Sequence, residues 1–441
     1  VSNRRRLDAR ASTSQIAKHQ IVRKGIVLTI FVSLARKKLF GLFDRLRRID
    51  VFALWPSHSR PRHNGGNLTK VTPVPVAELW SAFLPSDNGG AYDRTSETLI
   101  IGPPCVRDPI DNAPKAMIAP PPFGVACIDD AIVCGEGIIW KKTSSGADAA
   151  AETLINAVTP RSILPLTRSA EGLLHVDETI CLRRLSTKHT YAFLRQISDN
   201  NYGHWITEGL PKVAVLADHF DIKSLKFIVT RHFATRQSGP MRKIYLDSLA
   251  MLGIERHQIV PLTRAAVEVE HLLYPLPLTV HPWVKAPRSI QILEGLRDKI
   301  AIGQKGPRRI YVSRAGARKR RLLNEAEIVQ VLRDFEVAVI YPERHSFIEQ
   351  VRLFADAELI IGNYGANLTN LVFAPRGVKI FALTSETISD DFFWDLANLK
   401  SGKYFSLHGK AACASPDMNS DFFIDVREFR ALLEEQVLKD R

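Results

Sequence analysis

From residue 309 onward the chain alternates short apolar runs with helix-period segments, and this alternation restricts the fold more than any other feature. RIYVSR (309–314), VAVIY (337–341), LIIG (359–362) and KIFAL (379–383) read as strands. Between them NEAEIVQVLRDF (324–335), with Asn324 as candidate N-cap, and SFIEQVRLFADA (346–357) have helical period. Strand and helix at this spacing predict a parallel sheet covered on both faces. The preceding half reads as mixed α/β. It has strands in VACIDDAIVCGEGIIW, SILPLT, ETICLRR and KFIVT, helices in MRKIYLDSLAMLGI and APRSIQILEGLRDKIAI, and a surface loop at KKTSSGADAAAE. LLYPLPLTV (272–280) reads as the crossing between the halves, with the boundary near 276–288, and the last helix (426–438) is expected to pack back on the first half.

Three stretches carry chemistry. In LIIGNYGANLTNLVFAPRG (359–377) a buried strand turns at Asn363-Tyr364-Gly365 into a short helix, 366–373, closed by Pro375 and Gly377. Such a turn aims first-turn N–H groups out of the sheet, where they have no intrahelical partner and suit a diphosphate or another anion. An ordinary strand-to-helix turn has the same spelling. In SRAGARKRRLLNE, Arg314, Arg318, Lys319, Arg320 and Arg321 cluster at the carboxyl end of a strand, where ligands of open α/β sheets bind. Guanidinium forks match phosphate oxygens, and a solvated basic loop is the plainer account. Both features follow strands of one sheet and should open on one edge. In DNNYGHWITEGLPK (199–212), a helix from about Tyr202 puts His204 and Glu208 at i and i+4, with Asn201 one turn earlier. That pair suits a general base and its orienting partner, or a solvated face opposite buried Trp205 and Ile206. Gly209 and Pro211 predict a kink or restart.

Charge is unevenly distributed. The formal net charge is +14, but the excess sits in residues 1–70 and the rest is near neutral. The run GIVLTIFVSLA (25–35) is too short to span a membrane, which takes about 20 residues, and basic residues flank it. It reads as an amphipathic segment on an anionic membrane surface, involving residues 1–50. The charge does not continue onto the body with interleaved aromatics, which argues against nucleic acid. Five widely spaced cysteines show neither a disulfide framework nor a zinc-ligand spacing, and reduced thiols in a cytoplasm follow. The organisation expected is a basic arm (1–70), an N-terminal α/β domain (71–280) and a C-terminal α/β domain (281–441).

Together the three stretches resemble glycosyltransferase family 61, over roughly residues 191–409. The family's Asn-aromatic-x-His-aromatic-x-x-Glu/Asp pattern ending in Leu-Pro is met by Asn201, Tyr202, His204, Trp205, Glu208, Leu210 and Pro211. Its basic loop is met by Tyr311, Val312, Ser313, Arg314, Arg320, Arg321, Leu322, Leu323, Asn324 and Glu325, and its glycine motif by Gly362, Gly365, Ala366, Leu368, Thr369, Asn370 and Phe373. The chain departs from the family where a His is usual and Tyr364 stands, where a Gly is usual and Asn367 stands, and where a Glu is usual and Ala382 stands.

The resemblance implies an α/β, GT-B-like architecture: two Rossmann-like domains facing across a cleft, with donor held by the C-terminal one. It implies transfer of a sugar from a nucleotide sugar to a saccharide hydroxyl, with inversion and no other cofactor; no DxD motif with plausible surroundings appears, so no metal requirement is expected. The setting implied is surface or capsular polysaccharide synthesis, in the cytoplasm or at the inner face of the membrane. Either His204 or Glu208 would be the base. Ser313, Arg314, Arg320, Arg321, Asn324, Glu325, Tyr364, Gly365, Ala366, Asn367, Leu368, Thr369 and Asn370 would line the donor phosphates. Asn201, Tyr202 and Trp205 would lie on the acceptor side. Two rival readings stand beside it: a member that binds nucleotide or glycan without turnover, and a transferase of another group, such as pyruvyl, on a similar fold.

Overall fold

The computed structural model describes residues 68–94, 98–101, 117–120, 123–134, 137–144, 146–150, 166–168, 174–177, 182–196, 198–230, 239–262, 266–280, 284–388 and 390–438. Residues 1–67 of the basic arm, with its apolar run at 25–35, lie outside the described residues; its last three residues open the strand Leu68–Val74. No helix among the described residues is long and apolar enough to cross a membrane.

The C-terminal half forms the expected α/β layer. Its parallel strands stand in the spatial order Ala338–Ile340, Arg309–Val312, Leu359–Asn363, Lys379–Ser385, Lys403–Ala411. Successive side chains of a strand point to opposite faces, and the core divides on that parity. Ile310, Val312, Ile360, Ile380 and Ala382 pack with the helices Pro287–Ile300, Phe347–Phe354 and Phe392–Leu399. Tyr311, Leu359, Ile361, Phe381 and Leu383 pack with Glu325–Arg333 and Val426–Leu438. Both faces are therefore buried, which explains why these strands read as unbroken apolar runs.

Other elements depart from the sequence reading. The last helix does not return to the first half; Phe429, Leu432 and Leu433 cover Ile328, Val331 and Leu332 on its own sheet. The supposed loop at KKTSSGADAAAE is largely an antiparallel pair, Ile138–Thr143 with Gly146–Ala150. Its alternating alanines bury Ala147 and Ala149, and small residues at period 2 are a weak strand signal. LLYP belongs to a ten-residue strand, Ala266–Pro275, paired along its length with Phe123–Cys134; the change of sheet falls after it. A strand from the first half, Thr98–Ile101, pairs in parallel with Lys403–Ala411 and so joins the C-terminal sheet.

The N-terminal sheet is mixed rather than wholly parallel. Thr190–Phe193, Leu225–Thr230 and Ile259–Leu262 run parallel, beside the long antiparallel pair. One continuous apolar core joins this sheet to the near face of the C-terminal sheet. A buried carboxylate bridges the halves: Asp395 accepts from Tyr92 Oη at 2.6 Å, Arg94 Nε at 2.8 Å and Lys285 Nζ at 2.8 Å.

Candidate active site

The helix that carries His204 begins just beyond the carboxyl end of strand Thr190–Phe193. Asn201 caps it, its side chain accepting from the Gly203 amide at 2.8 Å. After one α-turn it widens into a π-turn over Trp205–Gly209, closed by the Leu210 amide on the Trp205 carbonyl at 2.8 Å, and resumes as Pro211–Ala217. Pro211 has no N–H to donate and its ring crowds the preceding turn. The extra residue of the π-turn absorbs both demands, as such bulges do inside α-helices. Gly209 makes room: a Cβ there would lie 2.7 Å from Trp205 Cε3. The indole is buried, donating to Ser248 Oγ at 3.0 Å and meeting Tyr245 edge-on. Trp205 is thus a packing residue and cannot touch an acceptor. Asn201 is the helix cap. Tyr202 is buried, and its hydroxyl donates to Asn370.

His204 and Glu208 do pair: Nδ1 lies 3.1 Å from Oε1. The carboxylate is held on its other side by Gln196 Nε2, which donates to Oε2 at 2.6 Å. The imidazole side chain is 17% exposed and the carboxylate 6%, so the His is the member that can meet a substrate. Burial opposes charge on His204, but the hydrogen bond and charge of Glu208, with Asp199 adding and Lys285 opposing, raise its pKa above the usual value. Lys212 is fully buried one turn further on. Burial brings its pKa down to about 8 against the pull of Glu208 and Asp199, and its Nζ donates to the Arg195 carbonyl at 3.4 Å. Arg195 Nε donates to Asp199 at 2.5 Å, locking the turn before the helix.

The glycine motif folds as expected in place, with a 3₁₀ helix over Ala366–Phe373. Its first internal bond is from the Leu368 amide to the Gly365 carbonyl at 2.9 Å, so Leu368 N–H is spent on the helix. The N–H groups of Gly365, Ala366 and Asn367 come before it. Arg314 lies over Gly365: a Cβ on that glycine would fall 1.8 Å from Nη1 and 2.6 Å from Cζ. Only a glycine leaves the guanidinium that seat. Arg314 Nε is buried without a hydrogen-bond partner, and so is Arg320 Nε. Burial first, and the charge of Arg320 second, lower the Arg314 pKa to about 10 against the pull of Glu343. Two neighbouring cations with open donors form a site that an anion would relieve.

The His204 helix and the glycine motif touch directly. A Cβ on Gly203 would lie 2.9 Å from Thr369 Oγ1, a buried hydroxyl without a partner. Asn370 links Tyr202 to Gln350, donating to its Oε1 at 3.0 Å.

Several expected donor residues have other work. Arg321 is committed to Asp421, through Nε at 2.9 Å and Nη2 at 2.6 Å, and pins the 417–421 loop. Asn324 sits at the helix start without capping it; its side chain donates to the Ile424 carbonyl at 2.9 Å and accepts from the Ile424 amide. Glu325 accepts from Tyr311 Oη at 2.8 Å beneath the sheet. Tyr364 points into the core, edge-on to Phe393 with its hydroxyl on Asp390. Burial, together with the Asp390 charge, keeps that phenol protonated. Leu368 is buried in the core and Ala366 packs partly against it. Ser313 is buried, and its Oγ accepts from the Ala315 amide at 3.1 Å, shaping the Arg314 turn. Asn367 donates to Glu343 at 3.3 Å. Ala382 is fully buried in mid-strand, paired with Gly362 and Ser406.

Sequence reasoning missed Gln196, Lys212, Lys285 and Glu343. Lys212 stands four residues after Glu208, a spacing that could have pointed to it; the others meet the site only through tertiary contacts.

These elements are the ones shared with known proteins. The family description Glycosyltransferase 61 matches residues 202–381, from the start of the His204 helix to the strand after the glycine motif. This segment is similar to glycosyltransferase family 61. The chain is similar to the EGF domain-specific O-linked N-acetylglucosamine transferase of Rattus norvegicus, 31% identical over 117 residues, covering 24% of this chain and 22% of the relative. It is also similar to the protein O-linked-mannose beta-1,4-N-acetylglucosaminyltransferase 2 of Bos taurus, 24% identical over 161 residues, covering 35% of this chain and 28% of the relative. The chain thus spans between a fifth and a third of the length of these relatives.

Proposed function

We propose that the chain transfers a sugar from a nucleotide-sugar donor to a saccharide hydroxyl, with inversion at the anomeric carbon. The observation that carries this reading is the seating of the Arg314 guanidinium on Gly365 beside Arg320, next to the helix that bears the His204–Glu208 pair. The two α/β halves would face each other in a GT-B-like arrangement, with donor on the C-terminal sheet edge. Glu208 accepts from Nδ1–H of His204 and fixes that tautomer, which leaves Nε2 to take the acceptor proton. The acceptor oxygen then attacks the anomeric carbon as its bond to the diphosphate breaks. Arg314, Arg320 and the N–H groups of Gly365, Ala366 and Asn367 balance the charge that develops on the departing diphosphate.

With two guanidinium groups in that role, transfer needs no metal. Incubation with a panel of nucleotide sugars and saccharide acceptors, read by mass spectrometry of the products, should give a hexose, pentose or N-acetylhexosamine increment that survives excess EDTA. A pyruvyl increment, or loss of product with the chelator, would count against it. The names of the relatives support including protein-linked glycans among the acceptors beside surface or capsular polysaccharides. Tyr364 supports a second reading, binding without turnover, because a buried phenol replaces the usual imidazole at the glycine turn; donor binding with no product in the same assay would favour it. The basic arm would hold the enzyme on the cytoplasmic face of a membrane. Co-sedimentation with phosphatidylserine vesicles, lost on adding salt, is the expected result.

A further inference from the structure

We propose that Glu343 reads donor hydroxyl groups adjacent to the diphosphate and so sets which donor the site accepts. This rests on the anion site at Arg314 and Gly365 and adds a contact of opposite kind to it. Glu343 stands in the 3₁₀ turn Pro342–Arg344, just past strand Ala338–Ile340, on the same sheet edge as Arg314 and Gly365. Buried Pro342 fixes the turn, and Arg344 is drawn aside over the Tyr341 ring, 4.2 Å from its centre. The Glu343 carboxylate is exposed but held. Oε2 accepts from Asn367 Nδ2 at 3.3 Å, and Oε1 lies 3.3 Å from where a Cβ on Gly316 would stand. Its charge acts on Arg314, yet it makes no ion pair within 4.0 Å among the described residues.

A carboxylate at this place does not help hold a diphosphate, because the two repel. An ionised carboxylate has acceptors and no donor, and its two oxygens suit a pair of hydroxyl donors. The hydroxyl-bearing parts next to a nucleotide-sugar diphosphate are the ribose on one side and the transferred sugar on the other. Glu343 therefore has vicinal hydroxyls as its fitting partner, and Asn367 as the residue that aims it.

Calorimetric titration of the full chain and Glu343→Gln, in EDTA, separates the possibilities. The probes are inorganic pyrophosphate, uridine and guanosine diphosphates, the 2′-deoxy form of whichever binds better, and the matching nucleotide sugar. In Glu343→Gln pyrophosphate should bind equally or about two- to fivefold more tightly, since a nearby negative charge is gone. The hydroxyl-bearing ligand should weaken about tenfold or more, the loss of hydrogen bonds to a charged group. If the diphosphate weakens and its 2′-deoxy form does not, the ribose is the partner; if only the nucleotide sugar weakens, the transferred sugar is. A uniform change across all probes, or a loss that appears only when magnesium replaces EDTA, would overturn the proposal. Pyrophosphate that fails to bind the unmodified chain would instead overturn the anion site itself.

Discussion

His204→Ala is expected to lower the transfer rate by about 10²–10⁴-fold, the range for loss of a positioned general base, with donor affinity nearly unchanged. The side chain is short enough, and its neighbours polar enough, that its removal should leave the fold intact. Circular dichroism and the denaturant midpoint check that point, and a full rate in the variant would remove His204 from the mechanism. The pH profile carries more information. Glu208, with Asp199 behind it, raises the His204 pKa against burial and Lys285. The neutral base is lost as pH falls, so the acidic limb should lie above the usual histidine value of about 6.5. Glu208→Gln keeps the shape but removes the charge that raises the pKa. Its acidic limb should move to lower pH while the plateau rate falls. The stability linkage has the matching sign: the pair contributes fully below the unfolded histidine pKa and fades as pH rises through the folded one. A profile that stays in place when Glu208 is neutralised would show that another group titrates.

Arg314→Ala should cost about 10²–10³-fold in kcat, the scale for losing one donor aimed at a developing negative charge, together with weaker donor binding. Arg314→Lys should recover only part, because an ammonium lacks the planar fork. Gly365→Ala offers an independent check. Its methyl group would occupy the guanidinium seat, so the cation is displaced without being deleted. We expect its donor affinity to fall toward that of Arg314→Lys. Unchanged kinetics in all three variants would take the phosphate away from this edge. Arg321→Ala is the contrast: its guanidinium already belongs to Asp421, and the 417–421 loop, not the donor, should feel the loss.

The local pattern of the C-terminal half was enough to place its elements from 309 to 383, though not the helix Phe392–Leu399 or the strand Lys403–Ala411 that follow. Strands buried on both faces must be apolar throughout, and amphipathic helices must repeat near 3.6 residues, so both leave marks that need no knowledge of the partner. The glycine turn, the 366–373 helix, the break before Pro211 and the His204–Glu208 pairing were legible for the same reason, since each depends on residues within one or two turns. The Gly146–Ala150 strand was missed because alanine and glycine bury too little surface to mark a face. The last helix was misplaced because its apolar stripe says that it is covered, not by what.

The sequence by itself determined the α/β alternation, the two anion-friendly stretches and the i,i+4 imidazole–carboxylate spacing, all properties of short-range geometry. The tertiary structure alone decided which polar side chains are open. It tied Arg321 to Asp421 and Asn324 to Ile424, sank Tyr364 and Trp205 into the core, seated Arg314 on Gly365, and set Gln196, Lys285 and Glu343 around the site. A side chain's role depends on the partner that reaches it first, and those partners lie tens to hundreds of residues away along the chain, where only packing brings them together.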